Sequence, residues 1–410
     1  MRSPGTVAVF LTVLTLAVLG SHRYLHSRTV VRLALPPRLA VWGRRFWIAS
    51  AIGLVGGMVV FRLLPPRPGV LLAIGVFCWL GLLGILLPAT AVGEAIPLLA
   101  RLWEHLRARM ARRWRFDVSG GATRDDQVDP SRRAALARFT AAATGAGALS
   151  VAADGVRTAL AGPEVVRLTV RLPRLPPAFE GLRVVQLSDV HVGPLIGRDY
   201  TDAVAAQVRA LRPDVLVITG DLVDGSVAQL AEDVSPLLSL PATHGTFFCT
   251  GNHEYYSGAD AWCEHLASQG VVVLRNQRHT LERNGQHLEI VGVDDWGARA
   301  PESGFDLDAA CRDLPPDRCA LLLCHQPKGI DAAAAAGLDL VLSGHTHGGQ
   351  IWPYGYLVAL VQPYVQGLHT HTDRTQIYVH RGTGFWGPPL RVRVRAEIAL
   401  LTLTSGRPAA

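Results

Sequence analysis

Five short stretches of this sequence place hard donors directly after apolar runs. "VVQLSDVHVG" (184–193) ends on Asp189 and His191, and "ITGDLVDG" carries Asp221 and Asp224. "CTGNHEYY" carries Asn252, His253 and Glu254, "LLCHQP" ends on His325, and "VLSGHTHGG" supplies His345 and His347. Singly, each has an ordinary structural reading as a turn, a cap or a loop. All five, in this order and each closing an apolar run, are too many for independent coincidence. Carboxylate, carboxamide and imidazole together suit Mn²⁺, Fe²⁺ or Zn²⁺. Six or seven such donors exceed what one tetrahedral ion takes, and a shared carboxylate would let two ions sit about 3.5–4 Å apart. Such a pair holds a hydroxide between its ions and neutralises the oxygens of a phosphoryl group under in-line attack.

The elements that must position these groups are short strands. Apolar runs at 183–188, 214–219, 245–250, 287–293, 319–324, 339–343, 375–380 and 396–403 read as strands, with helical stretches between several of them, as at 199–211 and 259–269. In an α/β sheet the strand ends line the binding crevice, so donors at five strand ends should converge. Glycines beside several of them let the backbone turn sharply. Cys324 neighbours His325, but the two-residue period of a strand turns it to the opposite face. The six cysteines include no C-x-x-C pair, which argues against a thiolate zinc cluster. Cys311 and Cys319 are expected to stay unpaired thiols.

The first hundred residues have a different texture. Apolar runs at 5–20, 46–61 and 69–93 hold no charged side chain and approach the roughly 17–25 residues that span a bilayer. They predict three transmembrane helices, at about 5–20, 46–64 and 69–93. Residues 1–116 carry 15 arginines against two acids, whereas the remainder holds 25 basic and 31 acidic residues. The net charge of +7 therefore belongs to the membrane-like part, and the rest is poor material for binding nucleic acid. A basic stretch at 101–116 reads as a surface helix and 117–131 as a flexible linker. The twin arginine Arg132–Arg133 precedes an Ala/Gly-rich run, so 134–163 resembles an export signal set inside the chain, a fourth apolar segment. From 164 to 410 the texture is globular. Six arginines between the first two apolar runs, two between the second and third, and many over 101–133 orient the first loop and 101–133 inwards. If 139–153 crosses, the globular part lies on the extracytoplasmic side of a plasma (inner) membrane protein of several passes, and the twin arginine favours crossing.

The order D-x-H, G-D-x-x-D, G-N-H-E, H and G-H-x-H resembles the calcineurin-like metallophosphoesterases. "GHTHGGQ" and "RGTGFWGPPLRVR…EIALLTL" resemble their bacterial membrane-associated branch, and the likeness covers about 165–404. It implies an α/β fold, a two-sheet β-sandwich flanked by helices, here preceded by an all-α transmembrane region. It also implies two divalent metal ions, with Asp189, His191 and His347 on the first and Asn252, His325 and His345 on the second. Asp221 would bridge them, His253 would contact the phosphate and protonate the leaving oxygen, and Asp224 would support from behind. The expected activity is hydrolysis of a phosphomono- or diester, a lipid-linked substrate among them. The rival readings are a pyrophosphate hydrolase of the kind acting on UDP-2,3-diacylglucosamine, and a membrane sensor or transporter with a regulatory metal-binding domain. The apolar spans hold no ionisable residue at their centres, which counts against a transport path. Three further features have structural readings: His369 and His371 in a surface hairpin, Asp294–Asp295 in a turn with the cleft rim as the alternative, and Trp352 and Trp386 in packing with the wall of a site for an apolar substrate as the alternative.

Overall fold

A computed structural model describes residues 4–33, 35–63, 66–113, 130–298 and 304–407. Four long helices come first: α1 (Pro4–His26), α2 (Pro37–Leu63), α3 (Pro66–Arg113) and α4 (Pro130–Leu160). Each begins on a proline, whose fixed φ and missing N–H suit the first turn of a helix. Gly69–Ala95 within α3 is long and apolar enough to cross a bilayer, and it is the one stretch among the described residues that meets both conditions. The apolar runs at 5–20 and 46–61 lie in α1 and α2. The basic stretch from 101 to 113 continues α3 without a break instead of forming a separate helix. Residues 114–116, and the linker expected at 117–131 as far as 129, lie outside the described residues. Most of the helical region, Arg2–Pro65 and Gly75–Asp154, forms one compact unit, and Pro66–Ile74 with Gly155–Ala410 forms the other.

The second unit is built on twelve strands among the described residues: β1 (Glu164–Leu172), β2 (Arg183–Leu187), β3 (Val215–Thr219), β4 (Thr246–Cys249), β5 (Val272–Val273), β6 (Gln277–Arg283), β7 (Gln286–Gly292), β8 (Ala320–Leu323), β9 (Leu340–Ser343), β10 (Gly367–Thr370), β11 (Gln376–Val379) and β12 (Glu397–Ser405). They form two six-stranded mixed sheets, ordered β1-β12-β2-β3-β4-β5 and β10-β11-β9-β8-β7-β6. Helices α5 (Arg198–Leu211), α6 (Val227–Leu238), α7 (Asn252–Ser257) and α8 (Ala259–Ser268) fall between strands of the first sheet. The architecture is the expected two-sheet sandwich flanked by helices.

The two-residue period of the strands sorts their side chains into layers. Val184, Val215, Val217 and Phe247 of the first sheet meet Leu321, Leu323, Leu340 and Leu342 of the second in a central core. The alternate residues Val185, Leu187, Leu216 and Ile218 pack outwards with Val204, Val208, Val234 and Leu266 of the helices. Apolar on both faces, β3 is buried throughout, as central parallel strands are. β2, β3 and β4 run parallel to one another, and so do β7, β8 and β9, so their C-terminal ends gather at one edge of each sheet. A hydrogen bond from Gln186 Nε2 to the Ser343 carbonyl (3.0 Å) ties the two sheets together beside those ends.

Composition places the start of the globular part at 164, yet the compact unit takes in the end of α4. Ala159 is fully buried in the outer core, and the Arg391 amide donates to the Gly155 carbonyl (3.0 Å).

Candidate metal centre

All five sequence stretches converge at the strand ends. Asp189 and His191 follow β2, Asp221 and Asp224 follow β3, and Asn252 and His253 open α7 just after β4. From the second sheet, His325 follows β8, and His345 and His347 follow β9. Close approach of the loops depends on glycine at two points. A Cβ on Gly220 would lie 2.5 Å from the Gly251 amide nitrogen, and one on Gly344 would lie 2.0 Å from Ser188 Oγ. Asp189, His191, Asp221, His345 and His347 all adopt left-handed backbone, with φ between 51° and 70°.

Asp221 sits at the middle. Its Oδ2 lies 3.1 Å from His325 Nε2, 3.9 Å from His191 Nε2 and 4.0 Å from His253 Nε2. On one side, His191 Nε2 and His347 Nε2 are 3.1 Å apart, and His347 Nε2 is 3.3 Å from Asp189 Oδ1. On the other, His345 Nδ1 faces His325 Nε2 at 3.3 Å. The donor atoms of Asp189, His191 and His347 lie within 4.8 Å of one another, as do those of Asp221, His325 and His345. His325 Nδ1 lies 2.8 Å from the Thr219 carbonyl, which can only accept, so Nδ1 carries a proton there and the ring is oriented with Nε2 facing Asp221. Asp224 pairs with His191 Nδ1 (3.3 Å) and with His253 Nδ1, and the His253 amide donates to Asp221 Oδ1 (2.8 Å).

Charge in the cluster is set by burial and mutual contact. Burial and the neighbouring His325 push His345 down to about 3. Burial, His191 and Arg391 hold His347 well below the usual imidazole range. Both rings are thus neutral and present a free lone pair, the form that binds a cation. Burial alone would raise Asp221, but His325 and His253 outweigh it and keep the carboxylate ionised. Burial works against a charged His253, yet Asp221 and Asp224 raise it to about 9. Asn252 Oδ1 is a buried acceptor without a hydrogen-bond partner. A buried acceptor left unpaired is costly, and a divalent cation would satisfy it. The donor set therefore fits a pair of cations on either side of Asp221.

A cleft of about 160 Å³ opens beside His345, between Asn252, Tyr255, Tyr256, Asp295 and Gln326. A larger cleft of about 530 Å³ near Arg198 and Tyr200 contains none of these donors, so size alone does not mark the site. The other sequence candidates separate. His369 lies on β10 of a β10–β11 hairpin, stacked on Tyr364, and His371 lies in its turn. Asp294 and Asp295 are buried just after β7, and Asp295 lines the cleft beside His345; Asp294 pairs with Arg275 (2.9 Å) and Asp295 accepts from Gln326 (3.0 Å). Trp352 and Trp386 are half exposed instead of packed, and the Trp386 ring lies 5.6 Å from that of His253. Two supporting residues have no role assigned by the sequence reading. Glu254 is buried and accepts from the amides of Gly251 (2.7 Å), Asp221 (2.9 Å) and Leu222 (2.8 Å). Arg391 is buried behind His347 and donates to the carbonyls of Gly384 and Arg381.

Residues 182–349, which hold every one of these donors, match the family model for the calcineurin-like phosphoesterase. A Helicobacter pylori metallophosphoesterase is 37% identical over 276 residues, 67% of this chain and 73% of that one. The chain belongs to the calcineurin-like phosphoesterases. Other members include a Danio rerio protein named as a transmembrane protein with a metallophosphoesterase domain, 37% identical over 62% of this chain and 60% of that one. Its cattle counterpart is 40% identical over 61% and 59%. The chain thus spans about three fifths of the length of these two relatives. Among solved structures, a dimetal phosphatase from Danio rerio is 14% identical, with a TM-score of 0.35 over 50% of this chain and 88% of that one.

Proposed function

We propose that this chain is a membrane-anchored hydrolase of phosphomono- or diesters working at two divalent cations, Mn²⁺, Zn²⁺ or Fe²⁺. Asp189, His191 and His347 would hold the first, Asn252, His325 and His345 the second, and Asp221 both. The observation that carries this reading is the position of Asp221 Oδ2, 3.1–4.0 Å from three imidazoles, in a carboxylate common to the His191–Asp221–His253 and Asp221–His325–His345 donor groups. When bound, the cations would offset the charge on the phosphoryl oxygens and acidify water for the attack. His253, anchored by Asp224 and partly open to solvent, would give its Nε2 proton to the leaving oxygen. Asp224 would fix His191 and His253 together through their Nδ1 atoms.

Helix α3 would anchor the chain, with α1 and α2 as further passes of a plasma-membrane protein. The arginine distribution, together with a crossing by 139–153, would put the phosphoesterase unit on the extracytoplasmic side. The purified full chain, supplied with each metal in turn and assayed on p-nitrophenyl phosphate and its bis-ester, tests the chemistry. Turnover that chelator abolishes is expected; turnover unaffected by chelator would end the two-metal reading. Reporter fusions after residue 163 test the side: activity of an alkaline-phosphatase fusion is expected, and cytosolic fluorescence in its place would put the unit inside.

A further inference from the structure

Directly after His347 and its glycines, residues 351–368 read "IWPYGYLVALVQPYVQGL", with no Asp, Glu, Lys or Arg in a chain that is 18% charged. Such a run belongs in a core by composition. Here Trp352, Tyr356, Leu357, Leu360 and Val361 are between 50% and 79% exposed. Helical turns present them: Gly355–Val358 is helical, and the amides of Ala359 and Gln362 continue the pattern to the carbonyls of Gly355 (3.0 Å) and Val358 (2.9 Å). Positions 356 and 360, with 357 and 361, fall on one side of such turns.

This surface adjoins the metal centre. The Gln350 side chain donates to the Trp386 carbonyl (2.9 Å) and accepts from the Trp386 amide (3.1 Å), and Trp386 is the half-exposed ring beside His253. The guanidinium of Arg393 lies 5.7 Å above the Trp352 ring, setting a cation among the aromatics. Aliphatic side chains fringed by Trp, Tyr and Arg are the composition of a membrane interface, where the cation meets phosphate and the rings sit at headgroup level. The same chain also carries Gly69–Ala95, which is apolar and long enough to hold it at a bilayer.

We propose that residues 352–361 with Trp386 form a bilayer-docking surface at the mouth of the metal centre, so that the phosphoester reaching His253 is one presented by a lipid surface. The substrate half of this inference rests on the phosphoesterase reading; the docking half does not. Hydrogen exchange of the full chain tests docking, comparing nanodiscs of phosphatidylethanolamine and phosphatidylglycerol with lipid-free amphipol. Amides 356–362 should exchange at least about fivefold more slowly in nanodiscs, while those of β3 stay equally protected in both. The double variant Leu357→Asp, Leu360→Asp should remove the difference and leave β3 protected, which separates lost docking from lost folding. Equal exchange in the two environments overturns the proposal. Protection in amphipol that grows with protein concentration assigns the surface to a second copy and overturns it too. In the same samples, turnover of soluble bis-p-nitrophenyl phosphate should stay within about twofold of the parent chain. If the parent chain itself has none, the phosphoesterase reading fails while the docking result stands.

Discussion

At Asp221 even replacement by its own amide should cost activity. Asn keeps the shape but removes the charge and one acceptor from the atom that three imidazoles face. Asp221→Asn and His345→Ala should each remove nearly all turnover and reduce bound metal, as measured by elemental analysis alongside rate. Full metal content with unchanged activity in Asp221→Asn would contradict the shared-ligand assignment. His253→Ala differs in kind, since His253 is proposed to act on the leaving group. It should keep its metal while turnover falls about 10²–10⁴-fold, and less so with a substrate whose leaving group needs no proton. Asp224→Asn, which loosens His191 and His253 together, should cost about 10–100-fold. The donor residues were legible because five apolar runs in succession each end on a carboxylate, carboxamide or imidazole, which chance turns and caps do not produce together. Arg391 was not: "PLRVRVR" looks like a solvated basic stretch, and only the fold shows its first arginine buried against backbone carbonyls.

The loops after β3 and β4 are joined by Glu254, whose carboxylate collects three amides including those of Asp221 and Leu222. In Glu254→Gln one side-chain N–H₂ must face an N–H donor, a mismatch of about 1–3 kcal/mol. Denaturant unfolding should show that loss, and turnover should fall with it because Asp221 is displaced. Glu397 performs a similar task between the sheets, accepting from Tyr378 Oη of β11 (2.8 Å) and from the Arg381 amide (3.0 Å). Burial opposes its ionisation, but His380 and Arg381 outweigh burial and hold it below the usual range. A carboxyl depressed in the folded chain stabilises fully above its unfolded value, about 4.3, and loses that contribution as pH falls towards the folded value. Thermal unfolding of Glu397→Gln should therefore approach that of the parent at low pH and lie below it at neutral pH; a constant gap at all pH values would contradict this. Strands with apolar runs were readable by period. β6 was not, because it is an edge strand that buries only Leu281 and is polar on both faces.

At the scale of the molecule, the boundary of the phosphoesterase unit matters most. A fragment starting at 155 should fold in solution and bind metal, whereas one starting at 164 discards Ala159 and the carbonyl that receives the Arg391 amide. The shorter fragment should melt at a lower temperature or aggregate, and equal melting of the two would show that the end of α4 is dispensable. Composition could not find this boundary, since an alanine-rich helix reads alike in a bilayer and against a sheet. The left-handed backbone of five donors has another consequence. Each non-glycine residue held there costs on the order of 1–3 kcal/mol, which the surrounding structure must offset. Glycine at these positions would relax the chain while removing its donors. A library of variants selected for heat resistance alone should accordingly drift away from Asp189, His191, Asp221, His345 and His347, and one selected in the presence of metal should keep them.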